Sequence, residues 1–241
     1  YLNKEITAWA KKSLNSNDSR FVFKRECICD IGTFLQKKRY VLHVLDDEGI
    51  PINKFKYTGV EVVRTTMPSS IKPYVKKIIE TMLSTQNRAK TNEVFLETYE
   101  IFKDLPLEDY AFVMGIKGYE KYARQCDGFK ICKGMPMHVK ASYLYNKLLD
   151  KYNIKTKYEE ISSGDKVRYF YTVQPNKYGI PVLAYKYYFP EEFKDTFQPD
   201  IEKMFEKIVY QVIERFYECV NWQLKKPTEQ VQTDLFELLG V

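Results

Sequence analysis

The chain has 241 residues, a formal net charge of +6 and 15% aromatic residues, a size that suffices for one large domain or two modest ones. No apolar run approaches the roughly 18 residues of a membrane span and no signal-peptide pattern opens the sequence, so we expect no membrane contact. Its five cysteines form no CxxC pair and only two histidines could complete a metal site, so we expect a reduced protein without structural metal.

The first elements predicted along the chain are a helix and a pair of strands. A near-helical apolar spacing predicts the helix over residues 1–16. Alternating side chains predict a strand over 20–32, which feeds through Gly32 into a second, antiparallel strand. The second strand ends at Asp46-Asp47-Glu48-Gly49, which we interpret as a hairpin turn and not as metal ligands. A further extended segment is predicted over 54–66.

Three cations in a row, Lys37, Lys38 and Arg39, stand at the mouth of the second strand, and Tyr40 follows at once. Adjacent like charges repel each other, so such a cluster indicates an anionic partner. Strand alternation predicts Lys38 and Tyr40 on one face of the sheet, with Lys37 and Arg39 on the other. A solvated group of charges at a strand end is the alternative interpretation.

A helix with one apolar face is predicted close to Pro68. Its apolar positions follow a spacing of 3, 1, 3, 1, 3 and are Ile71, Tyr74, Val75, Ile78, Ile79 and Met82. Pro68 suits the first turn, and Thr66, Ser69 or Ser70 could cap it. A helix N-terminus beside hydroxyl groups can bind phosphate, although most capped helices bind nothing.

The charge of the chain is unevenly distributed. Residues 117–157 hold ten basic residues against three acidic ones, whereas residues 190–241 hold eleven acidic and six basic ones. Tyrosine and phenylalanine residues are interspersed in the basic segment, which suits a polyanion whose bases can stack. The alternative is that frequent lysine and tyrosine reflect an A+T-rich genome.

In the second half of the chain, helices are predicted over 90–104, 137–151 and 199–222, and strands over 109–117 and 164–173. The last helix has the strongest pattern, and we interpret its apolar stripe as core. The polar segment after it predicts a linker before a short apolar tail. The expected fold class is α+β, with a small antiparallel sheet followed by a mainly helical module that has a few strands.

Several of these stretches, in this order, resemble the end of a family B DNA polymerase, in particular the replicative polymerases of T-even-type bacteriophages. KKRYVLHVLDDEG resembles the family's basic-aromatic palm motif, and GVEVVRTTMPSSIKPYV resembles its passage from palm into thumb. GMPMHVKASYLYN resembles its Pro-x-His-Val-type segment, and GDKVRYFY resembles the strand that follows. The resemblance covers essentially the whole chain.

By this resemblance, residues 1–66 are the C-terminal part of the palm, residues 67–226 the thumb, and residues 227–241 a tether with a clamp-binding tail. The implied partners are primer–template duplex DNA, the N-terminal remainder of the polymerase and the sliding clamp, in the cytoplasm of a host cell. The implied activity is that of a nucleotidyltransferase in DNA replication, with Mg²⁺ as the cofactor of the complete enzyme.

The resemblance also implies which residues contact the partners. Lys38 and Tyr40 would reach the minor groove, where purine N3 and pyrimidine O2 accept hydrogen bonds at every correct pair. Lys37 and Arg39 would meet phosphates or acidic neighbours. The other implied DNA-binding residues are Thr66, Ser69, Ser70, Lys130, Lys133, His138 and Lys140. The implied clamp-binding residues are Leu235, Phe236, Leu238 and Leu239. For His138 a core or capping role is the alternative, and for the tail a last helical turn folded onto the thumb.

The sequence departs from the family in two ways. Met67 stands where the phage polymerases tend to carry a threonine that could cap the helix. The Asp-x-x-Ser-Leu-Tyr-Pro and Asp-Thr-Asp motifs, whose aspartates hold the two catalytic metal ions, do not occur, so we expect this chain alone to bind no metal and to be inactive. The alternatives are a free-standing, non-enzymatic DNA-binding or clamp-associated protein and the second subunit of a split polymerase. The sequence upstream of Tyr1 would distinguish an interrupted polymerase from a separate protein.

Overall fold

The computed structural model describes residues 1–15 and 22–229. The predicted opening helix is confirmed as α1 (Leu2–Leu14). Two hydrogen bonds, of 2.8 and 2.7 Å, join the Asn3 side chain to the backbone of Phe23 and fasten α1 to the segment that follows. Ala10 of α1 is buried, whereas Trp9 is 55% exposed, so much of the apolar face of this helix lies open.

Three antiparallel strands form the first sheet, in the order β1 (Cys27–Gln36), β2 (Arg39–Asp47) and β3 (Ile50–Thr58). The predicted pairing of the first two strands is confirmed, but the predicted turn at Gly32 is wrong. The chain reverses at Lys37 and Lys38 instead, between β1 and β2.

Gly32 lies inside β1, opposite Leu42 of β2. A Cβ atom on Gly32 would come within 2.5 Å of Leu42 Cδ2, so the missing side chain makes room for the leucine across the strands. The hairpin turn predicted before Gly49 is confirmed, because the Gly49 N–H donates to the Asp46 carboxylate at 2.9 Å between β2 and β3.

The next elements are α2 (Lys72–Thr85) and α3 (Arg88–Lys103), which pack against each other. The predicted apolar face of α2 is confirmed as buried. The predicted cap is wrong, because Ile71 precedes α2 and no side chain caps it. Ser70 donates its hydroxyl hydrogen to the carbonyl of Asp109, and a hydroxyl that faces an acceptor does not serve the helix N–H groups.

The second sheet is formed by strands that follow α3 in the chain. α4 (Leu107–Tyr110) and β4 (Phe112–Gly115) occupy the segment predicted as one strand over 109–117. β4 pairs with β5 (Lys166–Tyr171), and β5 pairs with β6 (Val182–Tyr185), all antiparallel. β5 matches the predicted strand over 164–173, whereas β6 was not predicted.

Helices cover this second sheet. α5 (Tyr119–Ala123) is a short helix before the basic loop, and α6 (Met137–Tyr152), which matches the predicted helix over 137–151, packs on β5 and β6. α7 (Glu191–Lys194) is a single turn whose Phe193 is buried against the ring of Tyr145 in α6. The sheet and α6 thus share one apolar layer.

The last long helix is interrupted. It consists of α8 (Ile201–Phe205), a π-helical segment (Glu206–Tyr210) and α9 (Gln211–Cys219). Its apolar stripe is core from Met204 to Phe216, as expected, but Val220 at the end of the predicted stripe is exposed. Pairs of buried residues recur every four residues: Met204, Phe205, Ile208, Val209, Val212, Ile213, Phe216 and Tyr217; Tyr210 is buried as well. The segment after it, interpreted as a linker, packs on the helix through the Tyr210 hydroxyl bond to Leu224 O at 3.0 Å and through buried Pro227.

One hydrophobic cluster runs through the described residues, from Val41 and Val60 beside the first sheet to Phe170 in the second sheet and Phe216 in α9. The fold is α+β, with two antiparallel three-stranded sheets and helices packed against each. Within the described ranges, the helices are too short or too polar to cross a bilayer.

Candidate nucleic-acid interface

The tight turn between β1 and β2 exposes two cations. Lys37 and Lys38 are both exposed, and Lys38 has a left-handed backbone with φ of +63°. The expectation that strand alternation aligns Lys38 with Tyr40 is wrong, because Lys38 lies in the turn and not in the strand. Phe34 and Tyr40 face each other across the strands, with ring centroids 5.5 Å apart, and Phe34 is 67% exposed. The turn therefore places two exposed lysine side chains beside an aromatic pair.

A glycine holds the chain close to this turn. A Cβ atom on Gly59 would lie 2.2 Å from the carbonyl oxygen of Lys38, and Gly59 has φ of +63°. Both the close approach and the left-handed conformation demand glycine. The segment after β3 thus supports the turn from beneath.

The third cation, Arg39, is engaged within the protein. Its guanidinium forms an ion pair with Glu61 and donates from Nε to Gly59 O at 3.2 Å. Arg215 of α9 donates to the same Glu61 oxygen, Oε1, at 2.7 Å. Glu61 and Arg39 are less than a fifth exposed in their side chains, so this network fixes the base of the hairpin against α9.

The pKa of Glu61 responds to this network. Burial raises the pKa, but the Glu61 backbone N–H, Arg39 and Arg215 outweigh burial and hold the pKa below its ordinary value. Glu61 is therefore an anion at neutral pH, and it offsets the arginine charges. Its second oxygen, Oε2, is buried and has no hydrogen-bond partner among the described residues.

The three predicted hydroxyl residues near α2 differ in their exposure and hydrogen bonding. Thr66 and Ser69 are exposed, whereas Ser70 is half-buried and bonded to Asp109 O. The N–H groups of Ile71 and Lys72 donate to Pro68 O, and Pro73 has no N–H, so these positions offer no free donor to a phosphate. A contact with DNA here would depend on the hydroxyls of Thr66 and Ser69.

A second basic feature is the loop between α5 and α6. Lys130 closes a tight turn through its N–H bond to Asp127 O at 2.8 Å, and Gly128 has φ of +54° within that turn. The Tyr143 hydroxyl donates to Gly128 O at 3.0 Å, and Phe129 stacks on Tyr178 with ring centroids 5.7 Å apart. The loop is thus shaped by its contacts with α6 and with the segment between β5 and β6.

The lysines of the basic segment divide into paired and unpaired groups. Lys155 pairs with Asp150 and Glu160 at 2.5 and 2.8 Å, and Lys157 pairs with Glu192 at 2.7 Å. Over the described ranges, no ion pair or side-chain hydrogen bond involves the ammonium groups of Lys130, Lys133 and Lys140. The loop and the first turn of α6 therefore carry positive charge that no ion pair within the described residues offsets.

His138 lies in the first turn of α6 and is half-buried, with its ring centroid 6.5 Å from that of Tyr169. Burial lowers the pKa of His138, so the imidazole is neutral at pH 7. A neutral imidazole can hydrogen-bond to a phosphate, but it adds no charge to the surface.

Two further findings bear on metal and clamp binding. In residues 1–15 and 22–229, no group of three or more His, Cys, Asp or Glu could hold a metal ion, and Asp46 pairs with Arg25 at 2.8 Å. The four implied clamp-binding residues, Leu235, Phe236, Leu238 and Leu239, lie outside the described residues.

Sequence reasoning missed two participants in this interface. Phe34 could have been found from its place opposite Tyr40, had the turn been put at Lys37 and Lys38. The link between Glu61 and Arg215 joins residues 154 positions apart, and no local pattern signals it. The comparisons with protein-family models and with curated proteins gave no match for this chain.

Proposed function

We propose that this chain is the C-terminal palm and thumb portion of a family B DNA-directed DNA polymerase and that it grips the primer–template duplex during replication. The observation that carries the proposal is the exposed Lys37–Lys38 turn beside the Phe34–Tyr40 ring pair. The catalytic aspartates and their Mg²⁺ ions belong to the remainder of the polymerase.

The turn has the chemistry of a minor-groove contact. An ammonium or phenol hydroxyl can donate to purine N3 or pyrimidine O2, which occupy equivalent places in every correct base pair. Such a donor senses the geometry of the pair without reading its sequence, which is what a copying enzyme requires. The Glu61 network and Gly59 support this assignment, because they hold the turn in one place.

The basic loop has the chemistry of a phosphate contact. Lys130, Lys133 and Lys140 carry charge that no acidic side chain of the described residues neutralises. When such lysines neutralise phosphates, the counterions condensed on the DNA are released. The lysines therefore add affinity without sequence preference. The palm turn would thus sense the geometry of the base pair, and the thumb loop would hold the duplex.

Salt-dependent binding of a fluorescent duplex tests this proposal. The full chain should bind without sequence preference, and its log affinity should fall linearly with log salt. Replacing Lys130, Lys133 and Lys140 by alanine should reduce the slope by up to about one unit per lysine. The matched control replaces Lys12, Lys54 and Lys90, which are exposed on α1, β3 and α3, and should leave the slope nearly unchanged. Equal slopes for both triple variants, or salt-independent binding, would contradict the proposal.

The sliding clamp is the third proposed partner, bound through the apolar residues of the tail. Pro227 is buried and Lys226 pairs with Glu206 at 3.4 Å, so the chain up to Glu229 lies against the last long helix, and the clamp contact is assigned to the residues that follow. Deleting residues 231–241 should leave duplex affinity and melting temperature unchanged and abolish clamp binding, measured by co-sedimentation. A deletion that lowers the melting temperature by many degrees and retains clamp binding would overturn this partner.

A further inference from the structure

Two cysteines approach each other at the base of the basic loop. The Cys132 N–H donates to Cys126 Sγ at 3.2 Å, and the Cys132 thiol lies 3.9 Å from the carbonyl oxygen of Tyr122. Burial, followed by a hydrogen bond with the Cys126 thiol, raises the pKa of Cys132. Both thiols are free and half-buried, so a small reagent can reach them, and the two side chains lie within hydrogen-bonding reach of each other.

The loop brings these thiols together without a covalent link. The turn from Asp127 to Lys130 reverses the chain between them, and the contacts of Gly128 and Phe129 with the thumb body fix that turn. Because the loop is already shaped, closing a disulfide needs little further ordering of the backbone.

A second thiol pair in the chain provides a contrast. Cys27 Sγ and Cys29 Sγ lie 3.7 Å apart, but they stand two residues apart on the extended strand β1. Two residues of strand span about 6.6 Å, near the upper limit of Cα separation in disulfides, so a bridge there is strained. The fifth cysteine, Cys219, donates its thiol hydrogen to Phe34 O at 3.8 Å.

We propose that Cys126 and Cys132 are a thiol–disulfide modification site that closes the loop carrying Lys130. A low-molecular-weight disulfide such as oxidised glutathione is the oxidant. The Cys126 thiolate attacks one glutathione sulfur and displaces one glutathione thiolate, which gives a mixed disulfide. Cys132, after losing its proton to water, attacks Cys126 Sγ and displaces the second glutathione thiolate. The protein loses two electrons and two protons, and the glutathione disulfide is reduced to two thiols.

Thiol mapping across a glutathione redox series tests the modification. After alkylation and peptide mass spectrometry, Cys126 and Cys132 should lose their label together and yield a cross-linked pair of peptides. Cys27, Cys29 and Cys219 should remain alkylated under the same conditions, which makes them internal controls. A bridge between Cys27 and Cys29 that forms first, or a product that stops at glutathionylated Cys126, would overturn the proposal.

Two single substitutions test whether Cys126 and Cys132 bridge to each other. In Cys126→Ser the thiol of Cys132 should stay reduced or carry glutathione, and in Cys132→Ser the mixed disulfide on Cys126 should accumulate. Each variant lacks its partner thiol, so neither can form the bridge. A cross-link in either variant would identify another pair and contradict the assignment.

The consequence for DNA rests on the proposed function. Non-covalent contacts shape the loop in the reduced protein, and the bridge also keeps the loop from opening locally, so the bridged protein should bind duplex DNA about threefold more tightly than the reduced protein. Equal or weaker affinity of the bridged form would overturn this consequence. Thiol mapping involves no DNA, so if neither form binds DNA, the proposed function fails while the mapping still decides the modification.

Discussion

Lys38 occupies a backbone conformation that favours glycine. A left-handed residue with a side chain costs roughly 1–2 kcal/mol, and in this exposed turn that residue is a lysine. Residues held in such conformations cluster at functional sites, which agrees with a DNA contact by its ammonium group.

Lys38→Gly and Lys38→Ala distinguish the effect of the backbone conformation of this residue from the effect of its charge. Glycine relieves the left-handed strain but adds about 0.5–1 kcal/mol of chain entropy, so we expect a net gain of about 0.5–1 kcal/mol. Alanine keeps the strain and should leave stability nearly unchanged. Both variants should weaken duplex binding equally, because both remove the ammonium group. Thermal melts and binding titrations measure these effects; equal melting temperatures would show that the turn is unstrained.

His138 should make stability depend on pH below neutrality. Because burial lowers its pKa, the unfolded chain binds this proton more readily than the folded protein does. Stability should therefore fall as pH drops from about 6.5 toward the lower folded pKa, and no contribution remains above that window. His138→Gln should reduce the dependence of the melting temperature on pH between pH 5 and 7. His138→Gln should leave the salt slope of DNA binding at pH 7.5 unchanged, because the imidazole is neutral there; a change in slope would contradict the neutral form.

At the scale of elements, the hairpin of β1 and β2 depends on α9 through Glu61. One carboxylate oxygen serves Arg39 and Arg215, so loss of the negative charge leaves two arginines facing each other. This arrangement makes the position of the turn a property of two distant segments and not of the hairpin alone.

Glu61→Gln should destabilise the protein by about 1–3 kcal/mol, less than for a fully buried pair because Arg215 is half-exposed. Since the pKa of Glu61 is held low, this stability is present above its ordinary pKa and is lost as pH falls through the folded pKa. The control is Glu97→Gln, which breaks the half-exposed pair with Lys77 and should cost about 0–1 kcal/mol. Denaturant titrations at pH 7 measure both variants; equal losses would mean that the network acts as an ordinary surface pair.

Long periodic elements could be predicted from the sequence, and elements set by turn chemistry or tertiary contacts could not. The helices α1, α2, α3 and α6 follow clear apolar spacing and lie within a few residues of their predicted bounds. The first hairpin was misplaced because turns usually contain Gly or Asn, whereas here two lysines form the turn. β6 was missed because its four residues are all buried and show no alternation.

The candidate site shows the same division. The exposed cations of the turn and of the basic loop were found from sequence, because runs of like charge are a local signal. Arg39 was grouped with them, with phosphates or acidic neighbours as its expected partners. The structure pairs it with Glu61, whose identity could not be predicted because Gly59 and Glu61 come from a later segment. Lysines that pair with distant acids, such as Lys157 with Glu192, were likewise counted as free charge.

At the scale of the whole molecule, one apolar core joins the segment before residue 67 to the segment after it. Val41 and Val60 belong to the same apolar cluster as Phe95 and Phe216, so neither portion buries its own surface separately. The boundary expected between residues 66 and 67 therefore separates segments of sequence that share a single interior.

A shared interior should make unfolding a single cooperative transition. Far-UV circular dichroism and the fluorescence of half-buried Trp222 should report the same midpoint in denaturant, in a Trp9→Phe background that removes the exposed tryptophan of α1. Phe216→Ala should shift both midpoints together and cost about 3–5 kcal/mol. Two separated transitions would indicate that the two portions fold independently.

The π-helical segment between α8 and α9 keeps the buried residues before and after it on the same face of the helix. Buried pairs recur every four residues, whereas an α-helix turns once in 3.6, so each repeat rotates the apolar stripe by about 40° too far. Three repeats accumulate about 120°, close to the rotation of one residue, and a π turn absorbs one residue. In an unbroken α-helix of the same length the later turns would be rotated by about 100°, with Phe216 turned out of the core and Arg215 carried away from Glu61, whereas a chain one residue shorter here would stay in phase without a π turn. The π turn thus lets buried residues that recur every four positions stay on one face of a helix with 3.6 residues per turn.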